Sequence, residues 1–174
     1  GMNASNTSMN DHQKAPDFSY GYREEDDKII KMKFMNIDAI GPAGSINSNS
    51  KDMANWVMMW INGGKFNSKE IISSSYYSEA ISSQMVINGR LPTKEQPDVF
   101  MNNYGFAWFL GSYRGHYRVE HGGNIDGFSS NTSFYPSDSI GVFVSVNQNG
   151  SPLPNIIRNT IVDRLLGLKF RDWH

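Results

Sequence analysis

The sequence predicts an α/β fold in which an antiparallel sheet of about four to five strands packs against helices. Two observations carry this. Between residues 104 and 147, four runs rich in Val, Phe, Tyr and Trp are separated by short polar connectors. On either side, after Lys51 and near the C-terminus, apolar residues recur at helical spacing. The chain has 174 residues, enough for one core, and is read as a single unit spanning 1–174.

Residues 1–27 are rich in Asn, Ser and Asp and end in Glu24-Glu25-Asp26-Asp27, which predicts a polar, irregular surface arm. The run 28–34 alternates in part and predicts a short peripheral strand. Gly41-Pro42-Ala43-Gly44 then predicts a turn. From Lys51 the period becomes 3.6: Met53, Trp56, Val57, Trp60 and Ile61 form one stripe, with Asn49 as N-cap, Asp52 three residues on, and Gly63-Gly64 as the stop. A second helix is expected from near Ser68 to near Gln84, carrying Ile71, Ile72 and Tyr76 to the core. Residues 88–103, with Gly89, Pro92 and Pro97, read as a loop.

The four strand-like runs are 104–111, 116–121, 128–135 and 141–147. Their connectors at 112–115 and 136–139 suit hairpins, so the sheet is expected to be a meander. Val142, Val144 and Val146 would share one face and Phe143 the other, which predicts a sheet covered on both sides. A last helix, with Ile157, Ile161, Leu165 and Leu168 on one stripe, would cover one face.

Hydrophobic residues make up 39% of the chain and the formal charge is −1, a globular composition that calls for no nucleic-acid partner. No apolar run reaches the length of a membrane span. The absence of cysteine excludes disulfides, thiolate catalysis and cysteine-based zinc sites. His12, His116 and His174 have no companions at metal-ligand spacing, and no metal site or cofactor is expected.

The segment Val119-Glu120-His121-Gly122-Gly123-Asn124 ends a strand with a histidine and two glycines. Glycines there let a ligand backbone approach closely, and exposed N–H groups can bond a substrate oxygen. The same residues also fit a polar strand end with a bulge. Read alone, they leave both possibilities open.

Four motifs in order resemble β-lactamase-related serine hydrolases, a family that includes penicillin-binding proteins. Gly41-Pro42-Ala43-Gly44-Ser45 leading into Asp52-Met53-Ala54 and Trp56 is similar to that family's Pro-Ala-Gly turn and Asp-Met-Ala helix. Tyr104-Gly105-Phe106-Ala107-Trp108 resembles its Tyr-Gly-x-x-Trp strand, His121-Gly122-Gly123 its third motif, and Gly127-Phe128-Ser129-Ser130 the following strand. The resemblance runs from about Asn3 to Leu168. It implies acyl transfer through a serine in an S-x-x-K motif, assisted by the Lys and by a Tyr in a Y-x-N motif, with backbone N–H groups stabilising the oxyanion.

In the family both motifs stand well upstream of the Pro-Ala-Gly segment. The resemblance thus makes 1–174 the C-terminal portion of a larger domain, with no catalytic residue of its own and no activity alone. Ser48-Asn49-Ser50-Lys51 spells S-x-x-K, but at the cap of the Asp-Met-Ala helix. Ser129-Ser130-Asn131 imitates a second motif, but follows the third. The expected substrate-binding residues are His121, Gly122, Gly123 and Asn124, with the Asn124 N–H as one oxyanion donor.

His121 and Gly122 stand where typical β-lactamases carry Lys and a hydroxyl residue. An ordinary imidazole is mostly neutral near pH 7, so a permanent attraction for a substrate carboxylate is lost. The resemblance therefore points to small acyl esters or D-amino-acid peptides, in an exported parent, periplasmic or secreted. The other readings are a catalytically silent binding or interaction module and a binder of peptidoglycan-like peptides. An incomplete sheet with an open apolar face would also self-associate.

Overall fold

A computed structural model describes residues 1–87 and 91–173. The N-terminal segment is more ordered than a polar arm. It contains the short helix α1 (Met9–Lys14) and the strand β1 (Tyr22–Glu25), which pairs with β2 (Lys28–Lys31) through a turn at Asp26-Asp27. Met9 is buried, and Ala4 N–H and the Ser5 hydroxyl each donate to Asp52 Oδ2 at 2.8 Å. Polar composition concealed this because the anchors are hydrogen bonds. The predicted turn at 41–44 is a single helical turn, α2 (Gly41–Gly44), entered through a 3-10 turn at Asp38–Ile40.

α3 (Ser50–Ile61) forms where periodicity places it, and Asn49 Oδ1 accepts the Asp52 N–H at 2.9 Å. Left-handed Gly63 and Gly64 end it. Val57, Met59 and Trp60 are buried, whereas Trp56 stands at the margin, edge-on to Trp60. The next stretch departs from expectation. Asn67 and Ser68, both left-handed, make the tight turn of a hairpin, β3 (Lys65–Phe66) and β4 (Lys69–Glu70). The helix α4 (Ser74–Ala80) starts later, capped by Ser73. Ile72 and Tyr77 pack on the core, while Ile71 and Tyr76 are exposed.

Six antiparallel strands form the main sheet in the order β10-β9-β8-β7-β6-β5. They are β5 (Met85–Val86), β6 (Asn103–Tyr104), β7 (Phe109–Tyr113), β8 (His116–Ile125), β9 (Phe128–Tyr135) and β10 (Ile140–Val146). The run predicted at 104–111 is broken because Gly105 packs against the Ala80 carbonyl, where a Cβ would lie 2.1 Å from the oxygen. Gly89, expected in the loop, lies outside the described residues.

α3 covers one face of the sheet. Register places Leu110, Val119, Phe134 and Gly141 in one row beneath it, and a Cβ at 141 would stand 2.1 Å from Val57. Trp60 and Trp108 fill this layer with Phe134, their ring centroids 5.2–5.7 Å apart. The last helix, α5 (Leu153–Leu165), covers the other face with the side opposite to the predicted one. Arg158, Asn159, Val162 and Asp163 are buried, whereas Ile157, Ile161 and Leu165 are 37%, 38% and 59% exposed. Leu168 packs partly against the core beyond the helix end. The sheet decides this: it presents Tyr113 and Glu120, which need Asp163 and Arg158 as partners.

Candidate functional site

β7 pairs with β8 only as far as Phe109 opposite Glu120, whereas β9 pairs with β8 out to Ile125 opposite Phe128. Among the described residues, His121–Ile125 therefore has a strand on one side only. The backbone of this segment offers N–H and C=O groups on its open side, an arrangement that binds an extended ligand as an added strand. The four sequence-predicted residues, His121, Gly122, Gly123 and Asn124, occupy this edge and all are exposed.

Glycine at two of these positions keeps the strand bare. A Cβ at 122 would lie 3.3 Å from the Ser130 carbonyl oxygen, and one at 123 would lie 3.1 Å from Ser130 Oγ. The hairpin that follows depends on Gly127: φ is +89°, and a Cβ would stand 2.5 Å from the Tyr22 nitrogen. The N-terminal segment thus runs against the turn that ends β8.

His121 is fixed by two contacts. Its Nδ1 lies 2.7 Å from the Gly122 carbonyl, which only accepts, so Nδ1–H donates. In the neutral ring Nε2 then accepts from the Tyr104 hydroxyl at 3.2 Å. Phe109 flanks the imidazole, with ring centroids 5.2 Å apart. Tyr104 and Phe109 were not among the predicted site residues. Both lie in or beside the Tyr-Gly-x-x-Trp motif, so that motif's resemblance was the available signal.

Beneath the edge a cleft of about 700 Å³ opens toward the start of α5, lined by Glu120, Asn124, Asn131, Gly150, Ser151 and Asn155 among others. Glu120 takes Arg118 at 2.7 Å, and it also takes Arg158 and the Asn131 amide. Burial first, and the Arg118 charge second, push the Arg158 guanidinium down to about 9. It remains charged at neutral pH, with Glu120 against it.

The Beta-lactamase family model matches residues 2–166. The chain belongs to the β-lactamase family. Among solved structures, the octameric penicillin-binding protein homologue from Pyrococcus abyssi is similar at 22% identity and a TM-score of 0.79, covering 97% of this chain and 35% of its own. A D-stereospecific amidohydrolase from Streptomyces sp. is 18% identical with a TM-score of 0.60, covering 89% and 41%. A class C β-lactamase from Rhodobacter sphaeroides is 15% identical with a TM-score of 0.59, covering 86% and 46%. These likenesses show the fold, and the chain spans less than half the length of each of the three. No curated protein matches.

In this β-lactamase-family chain the S-x-x-K look-alike acts as a helix cap. Asn49 caps α3, and Ser48 Oγ meets Ser5 Oγ at 2.8 Å, within a network anchored by Asp52. Ser129 and Asn131 are buried and bonded to neighbouring polar groups. No group of three or more acidic, histidine or cysteine side chains suited to a metal occurs among the described residues, and no described helix is long and apolar enough to cross a membrane.

Proposed function

We propose that this chain supplies the substrate-binding edge of a serine acyl hydrolase, with the nucleophile and its base provided by residues outside it. The observation that carries the reading is the one-sided strand His121–Ile125, bare at two glycines and set above a polar cleft. A substrate lying along this edge would direct its reacting carbonyl at the Asn124 N–H, one oxyanion donor, with the His121 ring on the substrate's far side.

Small acyl esters and D-amino-acid peptides are the proposed substrates. Where typical β-lactamases carry a permanently charged Lys this chain carries an imidazole, which gives a penicillin carboxylate no permanent charge, and one similar structure is a D-stereospecific amidohydrolase. The Asn49 cap and the Ser48 contact to Ser5 support a nucleophile from elsewhere. A non-catalytic peptide binder would use the same edge without turnover.

The test is made on a longer protein that joins this chain to a segment bearing S-x-x-K and Y-x-N. Gly123→Val should abolish turnover of a D-alanyl peptide or a chromogenic ester by placing a branched side chain on the edge. His121→Ala should lower kcat/KM by about two- to tenfold, the worth of an oriented neutral hydrogen bond. If His121→Ala unfolds the protein while turnover per folded molecule is unchanged, the residue is structural and the site assignment fails.

A further inference from the structure

The Asn124 side chain is turned away from the proposed substrate edge and into the loop between β10 and α5. Its Oδ1 accepts two hydrogen bonds, from the Gly150 N–H at 2.6 Å and from the Ser129 hydroxyl at 2.9 Å. Ser129 is buried and completes the knot: its Oγ also lies 2.7 Å from the Gln148 carbonyl, and it accepts the Ser151 N–H at 3.0 Å. One hydroxyl proton serves one acceptor at a time, so Asn124 Oδ1 and Gln148 O share it. Asn124 and Ser129 stand opposite each other in the β8–β9 register, so both halves of the knot start from one rung of the sheet.

The loop held in this way is a wall of the cleft. Gly150 and Ser151 line it together with Gly122 and Asn124. Gly150 is left-handed and nothing lies within 4 Å of a Cβ built on it, so packing does not restrain this point of the loop. Hydrogen bonds restrain it instead, and three of them pass through Asn124 Oδ1 or Ser129 Oγ.

We propose that Asn124 is a positioning residue, whose side-chain carbonyl, acting with Ser129, clamps the 147–151 loop against the end of β8 and holds the cleft at its working width. This rests on the reading of the edge as the substrate site. The same clamp fixes the direction of the Asn124 backbone, whose N–H is the proposed oxyanion donor. A side chain tied at both its acceptor sites leaves the peptide plane little freedom to turn.

Hydrogen exchange on this chain tests the clamp directly. Asn124→Ala removes the acceptor and should speed exchange at the Gly150 and Ser151 amides by about three- to tenfold, with little change elsewhere in the sheet. Asn124→Asp keeps the acceptor oxygen in place and should restore protection. In the longer protein that carries the nucleophile, Asn124→Ala should lower kcat by a similar factor and leave KM within about twofold, because a misaligned donor is felt in the transition state. Unchanged exchange in the Ala variant, or no recovery in the Asp variant, overturns the proposal, as does an active Ala variant with normal kcat. Absence of turnover in the unsubstituted longer protein would instead count against the hydrolase reading, and the exchange result would still decide the clamp.

Discussion

Both faces of the main sheet bury an apolar cluster, but only one of them also buries a network of charges. Beneath α3 the layer is aromatic and aliphatic: Trp60, Trp108, Val119 and Phe134 are buried with almost no polar companion. Beneath α5 the layer is mixed: Tyr113, Tyr135, Val142 and Val162 form a second apolar cluster, and beside it Arg118, Glu120, Asn131 and Ser133 from the sheet meet Arg158, Asn159 and Asp163 from the helix. The first face tolerates any well-shaped apolar helix. The second accepts only a helix whose partners match group by group, and it still leaves Asn131 Oδ1, Ser133 Oγ and Tyr135 OH unbonded. Such a layer adds little net stability, and it adjoins the cleft. The charge network thus lies on the face that adjoins the proposed substrate cleft.

Breaking the apolar face should have the largest effect. Trp60→Ala empties a site walled by Trp108, Tyr77 and Phe134 and should cost about 3–5 kcal/mol in denaturant unfolding. Glu120→Ala tests the polar face by leaving the buried Arg158 guanidinium without its carboxylate. The expected loss is about 3 kcal/mol, with a smaller loss for Glu120→Gln. A loss below about 1 kcal/mol for the Ala variant would mean that shape rather than charge holds α5.

Alkaline pH sharpens the same comparison. Burial, reinforced at Tyr113 by the hydrogen bond to Asp163, raises the Tyr113 and Tyr135 hydroxyls above the ordinary tyrosine value. A raised folded pKa means that the native state holds its protons longer. The contribution is whole below pH of about 10, and each group withdraws about 1.4 kcal/mol per pH unit above it. Arg158, pushed down to about 9, runs the other way, because the unfolded state binds its proton more tightly between that value and the ordinary arginine range. Arg118, lowered chiefly by burial, runs the same way as Arg158 and offsets the tyrosines above pH of about 10. The two buried phenols should ionise only as the chain unfolds, a step visible in phenolate absorbance.

The smallest effect on folding is expected on the outer side of α5. Ile157→Ser and Ile161→Ser should change monomer stability by no more than about 0.5 kcal/mol, since both side chains already meet water. They should weaken self-association in sedimentation velocity, because Leu153, Ile157, Ile161 and Leu165 form an exposed apolar stripe. An unchanged sedimentation profile would remove that stripe from any contact between copies.

The same contrast explains what was legible in the sequence. The existence and bounds of α3 could be read because its apolar period, its Asn49 cap and its glycine stop agree, although Trp56 of the predicted stripe is exposed and Met59 outside it is buried. α5 could not be oriented, because periodicity marks an apolar stripe without saying which side the sheet requires, and that depends on Glu120 and Tyr113 from distant strands. The hairpin at Asn67-Ser68 was missed because its two left-handed positions carry no glycine. At the candidate site, the sequence pattern ended a strand at His121, whereas β8 runs on through Gly122, Gly123 and Asn124 to Ile125. The Tyr104 contact to His121 and the Asn124 hold on Gly150 depend on pairing across 17 and 26 residues, which local pattern does not carry.

Covalent labelling decides whether this chain alone is, as proposed, a substrate edge without a nucleophile. The folded chain would be incubated with a fluorophosphonate or a penicillin and its intact mass measured. The expected result is an unmodified chain, with a mass increase only in a longer protein that brings in S-x-x-K. A stoichiometric adduct on this chain, mapping to Ser48 and lost in Ser48→Ala, would contradict the account and make the α3 cap a catalytic centre.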